Sequence, residues 1–213
     1  MSKTADKTTI CDVIFNLAVV IFTIIGLILM LTAKPEPGSL QAAGIANFKF
    51  YTVLSNVFCG ITALIRLAFL LSGRDTSRIS FLKLAGVCGV TVTFAVVAFF
   101  FGPVWGFAQF YTGGNLFFHL LEPVAAIAGF CLSKKSYMPL RHAVFAAVPT
   151  LLYGCGYLLN ILINGIGGPW PDTNDFYAFL SWGWPVGILI FAVITGSAFA
   201  VACIFRKINN GRV

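Results

Sequence analysis

Thr52 and His119 are the side chains in this sequence best suited to nucleophilic chemistry, because a hydroxyl activated by a neighbouring imidazole is the minimum equipment for acyl transfer. Each has polar company at helical spacing. Thr52, Ser55, Asn56 and Cys59 share one face of a helix, and so do Asn115, His119 and Glu122. Tyr153, Tyr157, Asn160 and Asn164 form a third stripe. Glu122 lies one turn from His119 and is placed to orient the imidazole as a third group. Asn115 joins it as an orienting residue, while Asn56, Tyr157 and Asn160 are expected donors to an oxyanion. For Ser55, Asn56 and Asn164 the competing reading is interhelical hydrogen bonding that holds a bundle together.

The elements that must position these groups are set by composition. Of 213 residues, 59% are apolar and 10% charged, with 22 Phe against 7 acidic residues. A soluble domain carries about a quarter charged residues, so a secreted, cytosolic or disordered chain is excluded. The apolar runs, at about 13–32, 48–72, 82–102, 115–133, 140–165 and 179–205, are each long enough to cross a hydrocarbon core of about 30 Å. The expected fold is all-α, an integral membrane six-helix bundle forming a single transmembrane domain over 1–213. The first run is too long for a signal-peptide core and is read as an uncleaved helix. Pro35, Pro103, Pro139, Pro169 and Pro171 fall at expected helix ends, whereas Pro123, Pro149 and Pro185 fall within spans and predict kinks.

Net charge is +7, yet the basic residues are sorted by topology instead of gathered into a nucleic-acid-binding face. With alternating spans, one side collects Lys3, Lys7, Arg66, Arg74, Arg78, Lys83, Lys134, Lys135, Arg141, Arg206, Lys207 and Arg212, leaving Lys34 and Lys49 on the other. Cytoplasmic loops accumulate Lys and Arg, so both termini are expected in the cytoplasm. In that orientation Thr52 and His119 both lie about 5 Å below the outer end of their spans. Two residues distant in sequence thus reach one level. Arg66 lies about 21 Å deeper than Thr52. It is expected to snorkel to the cytoplasmic headgroups, with contact to a lipid carboxylate as the alternative.

Metal chemistry has little support, since a zinc site needs at least three protein ligands and His142 is far in depth from His119. No cofactor is implied. Six cysteines, Cys11, Cys59, Cys88, Cys131, Cys155 and Cys203, are scattered singly and read as small core residues.

Phe50-Tyr51-Thr52-Val53-Leu54-Ser55-Asn56 and Asn115-Leu116-Phe117-Phe118-His119-Leu120-Leu121-Glu122-Pro123, together with the Gly168–Pro171 turn and Asp172, resemble the androgen-induced membrane hydrolases, including the androgen-dependent TFPI-regulating proteins and their bacterial relatives. The resemblance runs from about Phe48 to the last span. It implies a membrane threonine hydrolase acting on fatty acid esters of hydroxy fatty acids, with Thr52 as nucleophile and His119 as base. Glu122 is not carried over by the resemblance, because many relatives have an apolar residue between the histidine and the proline. The expected partners are a lipid ester substrate and membrane lipids, with no nucleic acid. The expected location is a bacterial plasma membrane with the site near the outer leaflet, in keeping with outer loops that carry no N-x-S/T sequon. A transporter or channel with a polar outer-leaflet cavity is the main alternative, although the two halves show no self-similarity of the kind transporters carry.

Overall fold

In the computed structural model, residues 7–34, 42–133, 136–170 and 172–211 are described; Lys3, Pro35, Lys134, Lys135, Pro171 and Arg212 lie outside them. Six helices are long and apolar enough to cross a membrane: α1 (Lys7–Thr32), α2 (Tyr51–Leu71), α3 (Thr76–Trp105), α4 (Gly113–Leu132), α5 (Leu140–Asn164) and α6 (Trp184–Asn210). No strand occurs among the described residues. The chain is an all-α multi-pass membrane protein.

Contacts between helix ends fix the up-and-down order. Asp12, near the start of α1, meets Arg66 near the end of α2 and Lys83 near the start of α3. Lys83 also reaches Ser133, just past α4, and Met138, just before α5, is held by Arg206 and Asn210 at the end of α6. One end of the bundle therefore gathers Lys7, Arg66, Arg74, Arg78, Lys83, Arg141, Arg206 and Lys207, and the described chain begins and finishes there.

α3 is the central helix. It packs against α2, α4, α5 and α6, and its Leu84, Cys88 and Val90 are fully enclosed. Gly86 makes the close α2–α3 approach: a Cβ there would lie 2.6 Å from Thr62 Oγ1. Gly196 in α6 faces open space instead, so the small-residue pattern Gly196-x-x-x-Ala200 brings no neighbour against that glycine. α6 is the least enclosed of the six.

The starts of α1 and α6 differ from the sequence reading. α1 begins at Lys7 instead of near Val13, which brings Asp12 into the span. α6 begins at Trp184 instead of near Phe179, because the backbone N–H groups of Phe179 and Leu180 bind the Asp175 carboxylate and close a turn. Pro185 accordingly stands in the first turn of α6, where its missing N–H has no intrahelical acceptor to lose.

Wide π-turns precede two prolines. Gly102 N–H bonds Val97 O ahead of Pro103, and Glu122 N–H bonds Phe117 O ahead of Pro123. A proline ring presses on the carbonyl four residues back and offers it no donor, and a local wide turn absorbs the mismatch. Pro103, expected at a helix end, is thus carried within α3.

Candidate active site

Thr52 is the second residue of α2, and four bonds fix where that helix begins. Asn47 Nδ2, in the short 3-10 turn before it, donates to Met30 O (2.9 Å) and Ala42 O (2.8 Å), anchoring the connection to the end of α1. Phe50 is extended, and Leu54 N–H returns to its carbonyl at 3.2 Å. Tyr51 N–H donates to the Tyr177 hydroxyl oxygen at 2.9 Å. The N–H groups of Thr52 and Val53 belong to the first turn and have no intrahelical acceptor.

His119 lies on α4 within the π-turn Phe117–Leu121, buried. Its Nε2 is 3.4 Å from Thr52 Oγ1, and its Nδ1 is 3.1 Å from the carbonyl oxygen of Phe110. A carbonyl only accepts, so Nδ1 carries the proton and, in the neutral imidazole, Nε2 is the acceptor facing the threonine hydroxyl. This is the tautomer that a base needs. The Phe110 ring stands edge-on to the imidazole at 5.8 Å and stacks on Phe101 at 6.0 Å, which makes the carbonyl part of a packed aromatic corner with Trp105.

Asn56 and Asn115 brace the pair. Asn56 Nδ2 donates to Thr52 O (2.7 Å) and to Phe118 O (3.0 Å), tying α2 to α4 next to Thr52 and His119. Asn115 Nδ2 donates to Gln109 O at 3.0 Å, which steadies the loop that presents Phe110.

Several expected roles fall elsewhere. The imidazole is oriented by the Phe110 carbonyl and not by Glu122, which is buried against α1 and α2. Asn56 has used both amide hydrogens, so it is not an oxyanion donor. Tyr157 donates to Asp175 Oδ1 at 2.5 Å and Asn160 to Asn174 Oδ1 at 3.1 Å, so these two residues serve the loop before α6, while Tyr153 donates to Lys49 O at 2.7 Å in the turn before α2. The Thr52 and Val53 N–H groups at the α2 N-terminus have no intrahelical acceptor and are the backbone donors adjoining Thr52 Oγ1 in the chain.

Arg66 does not snorkel and does not await a lipid carboxylate. It is 4% exposed and engages both carboxyl oxygens of Asp12, through Nε at 2.9 and 3.0 Å and through Nη2 at 2.5 Å. Lys83 Nζ adds a bond to Asp12 Oδ1 at 2.7 Å, and Asn16 Nδ2 another at 2.7 Å. Asp12 went unnoticed because it was placed outside the first span; its spacing of four from Asn16, ahead of an apolar run, was the available signal. Tyr177 and Asp175 were missed because they lie in a loop, and the Phe110 carbonyl because backbone groups leave no mark on residue type.

The loop before α6 also covers Lys49, whose ammonium stands 4.7 Å from the Trp170 ring and 5.1 Å from that of Phe176. Desolvation lowers its pKa, partly opposed by Asp172. Burial pushes the Tyr177 phenol up to about 12. Among the described residues no three His, Cys, Asp or Glu side chains gather where one metal ion would be held. Compared with family models, curated proteins and solved structures, the chain matches none. The fold and this pair of side chains define a six-span membrane protein with a nucleophile–base geometry near one end of the bundle.

Proposed function

We propose that the protein is an intramembrane hydrolase of lipid esters, of the kind formed between a fatty acid and a hydroxy fatty acid, with Thr52 as nucleophile and His119 as base. One observation carries this reading: Thr52 Oγ1 faces the unprotonated nitrogen of an imidazole whose other nitrogen is held by Phe110 O. The resemblance of Phe50–Asn56 and Asn115–Pro123 to the androgen-induced membrane hydrolases supports the substrate class.

The Oγ1–Nε2 separation of 3.4 Å exceeds the range of about 2.6–3.2 Å for a poised pair, so a small approach of α2 and α4 accompanies reaction. Thr52 Oγ1 attacks the ester carbonyl carbon as its proton passes to His119 Nε2. The oxyanion forms beside the Thr52 and Val53 N–H groups, whose helix-end position favours negative charge. Collapse breaks the ester C–O bond, and the leaving alkoxide takes the proton from His119 to become the free hydroxyl. Water, deprotonated by the same nitrogen, then attacks the acyl-threonine, releasing the fatty acid and restoring the hydroxyl of Thr52.

The distribution of basic residues favours cytoplasmic termini, which puts this pair toward the outer leaflet, and the absence of outer-loop sequons is in keeping with a bacterial plasma membrane. Transport has less support: the polar stripes are consumed in direct bonds such as Ser55–Thr93 and Tyr157–Asp175 instead of lining one route. The test is hydrolysis of a fatty acid ester of a hydroxy fatty acid by the detergent-purified protein. Activity that survives both Thr52→Ala and His119→Ala would overturn the assignment.

A further inference from the structure

Glu122 sits 0% exposed between α4, α1 and α2, and neither of its carboxyl oxygens has a hydrogen-bond donor among the described residues. Its surroundings explain why. Thr23 of α1 is its hydrogen-bonding neighbour, but that hydroxyl has a single proton and also lies 2.9 Å from Val19 O, which competes for it. Cys59 of α2 lies on another side. One turn earlier on the same α2 face, Asn56 is also 0% exposed, and with both amide hydrogens committed its Oδ1 has no donor either. Asn56 donates to Phe118 O, the turn of α4 toward which a side chain at position 122 leans.

Two carboxyl oxygens, an amide oxygen and a shared hydroxyl thus lie in one buried region that has no positive partner among the described residues. Enclosed acceptors without a donor are costly, and a carboxylate without a counter-charge far more so. We propose that Glu122, Asn56 and Thr23 form an intramembrane binding site for one small positive charge, either a proton carried on the Glu122 carboxyl or a sodium ion held by these oxygens. A bound proton turns Glu122 into the donor that the site lacks. A sodium ion satisfies the same oxygens by coordination.

A cavity of about 10 Å³, room for about one water molecule, lies beside the site: Asn16, Thr62, Lys83, Cys59 and Ala125 line it, while Glu122, Asn56 and Thr23 do not. The charged and titratable groups around the site are Cys59 on α2, His119 on α4, Lys83 on α3, and the Asp12–Arg66 pair about 16 Å further along α1 and α2. His119 has both nitrogens engaged, and Lys83 bonds Asp12 and Ser133, so neither supplies the missing partner. The site adjoins the Thr52–His119 pair through Asn56, and it is therefore tested by spectra and thermal unfolding instead of activity.

Infrared spectra of the purified protein in sodium-free choline buffer read the proton directly, as the carbonyl stretch of a protonated carboxylic acid that shifts in heavy water. Thermal unfolding with choline replaced by sodium at constant ionic strength reads the metal, because a ligand that binds only the folded state raises the midpoint. A band present in wild type, lost in Glu122→Gln and indifferent to sodium, assigns the proton. A midpoint that rises with sodium in wild type but not in Glu122→Gln, with any such band bleached, assigns the ion. Absence of both the band and the sodium effect, or their survival unchanged in Glu122→Gln, overturns the proposal. Should Glu122→Gln not fold, Thr23→Val keeps the carboxyl and removes one acceptor: the band must move or the sodium response weaken, and if neither changes the site is not as described.

Discussion

Thr52 Oγ1 and His119 Nε2, separated by 67 residues of sequence, face each other at 3.4 Å where the start of α2 meets the π-turn of α4. The contact depends on an imidazole whose tautomer is set from behind by a backbone carbonyl, so the hydroxyl meets a lone pair and not a proton.

Removing either partner is expected to lower ester hydrolysis by about 10³-fold or more, since nucleophile and base act as one unit and their losses do not add. Thr52→Ala, His119→Ala and the double variant should therefore be nearly equal in kcat/KM, measured on detergent-purified protein with unchanged circular dichroism. Multiplicative losses would mean that the two side chains work separately.

Asp12 is the counter-ion shared by two buried cations at the basic end. Asp12→Ala leaves Arg66 and Lys83 enclosed without a counter-charge, a loss of about 3–5 kcal/mol by analogy with other buried pairs. Its thermal midpoint should fall steeply, and combining it with Arg66→Met should recover part of the loss, because one stranded charge is removed along with its partner.

Tyr177 is the acceptor for the first N–H of the helix that carries Thr52. Tyr177→Phe should destabilise the protein by about 1 kcal/mol and reduce activity by loosening the α2 start. It should also alter the alkaline limit. Burial raises this phenol from 10.0 to about 12, so the unfolded chain ionises first. The contribution is full below pH 10.0 and is lost as pH rises toward about 12. An alkaline titration followed by thermal unfolding should show a shallower decline in the variant than in wild type over that window.

Gly154 of α5 gives α6 its seat: a Cβ there would fall 1.2 Å from Phe191 Cε2. Gly154→Ala is expected to cost about 1–3 kcal/mol through overpacking, and Phe191→Leu in the same chain should restore most of the midpoint. If the two substitutions simply add, the helices do not meet at this point.

A reporter fused after Val213 should be shielded from external reagents in intact cells, the outcome expected from the basic residues clustered at the end where the described chain begins and finishes.

The six spans, their order and the segregation of basic residues were legible in the sequence because hydrocarbon imposes length and polarity rules on every residue of a span, one helix at a time. Thr52, His119 and their shared depth followed from the same rules. What tertiary structure decided was which polar groups use one another up. The Asp175 carboxylate takes the hydroxyl of Tyr157 and closes the turn that delays α6 to Trp184, and Asp12 takes Arg66 away from any lipid. Periodicity assigns a residue to a helix face, but the partner of a buried hydrogen bond depends on which helices adjoin and at what register, quantities fixed only when the whole bundle packs. The same reason hid the Phe110 carbonyl, which has no side-chain signature and gains its role only where the aromatic corner folds back over His119.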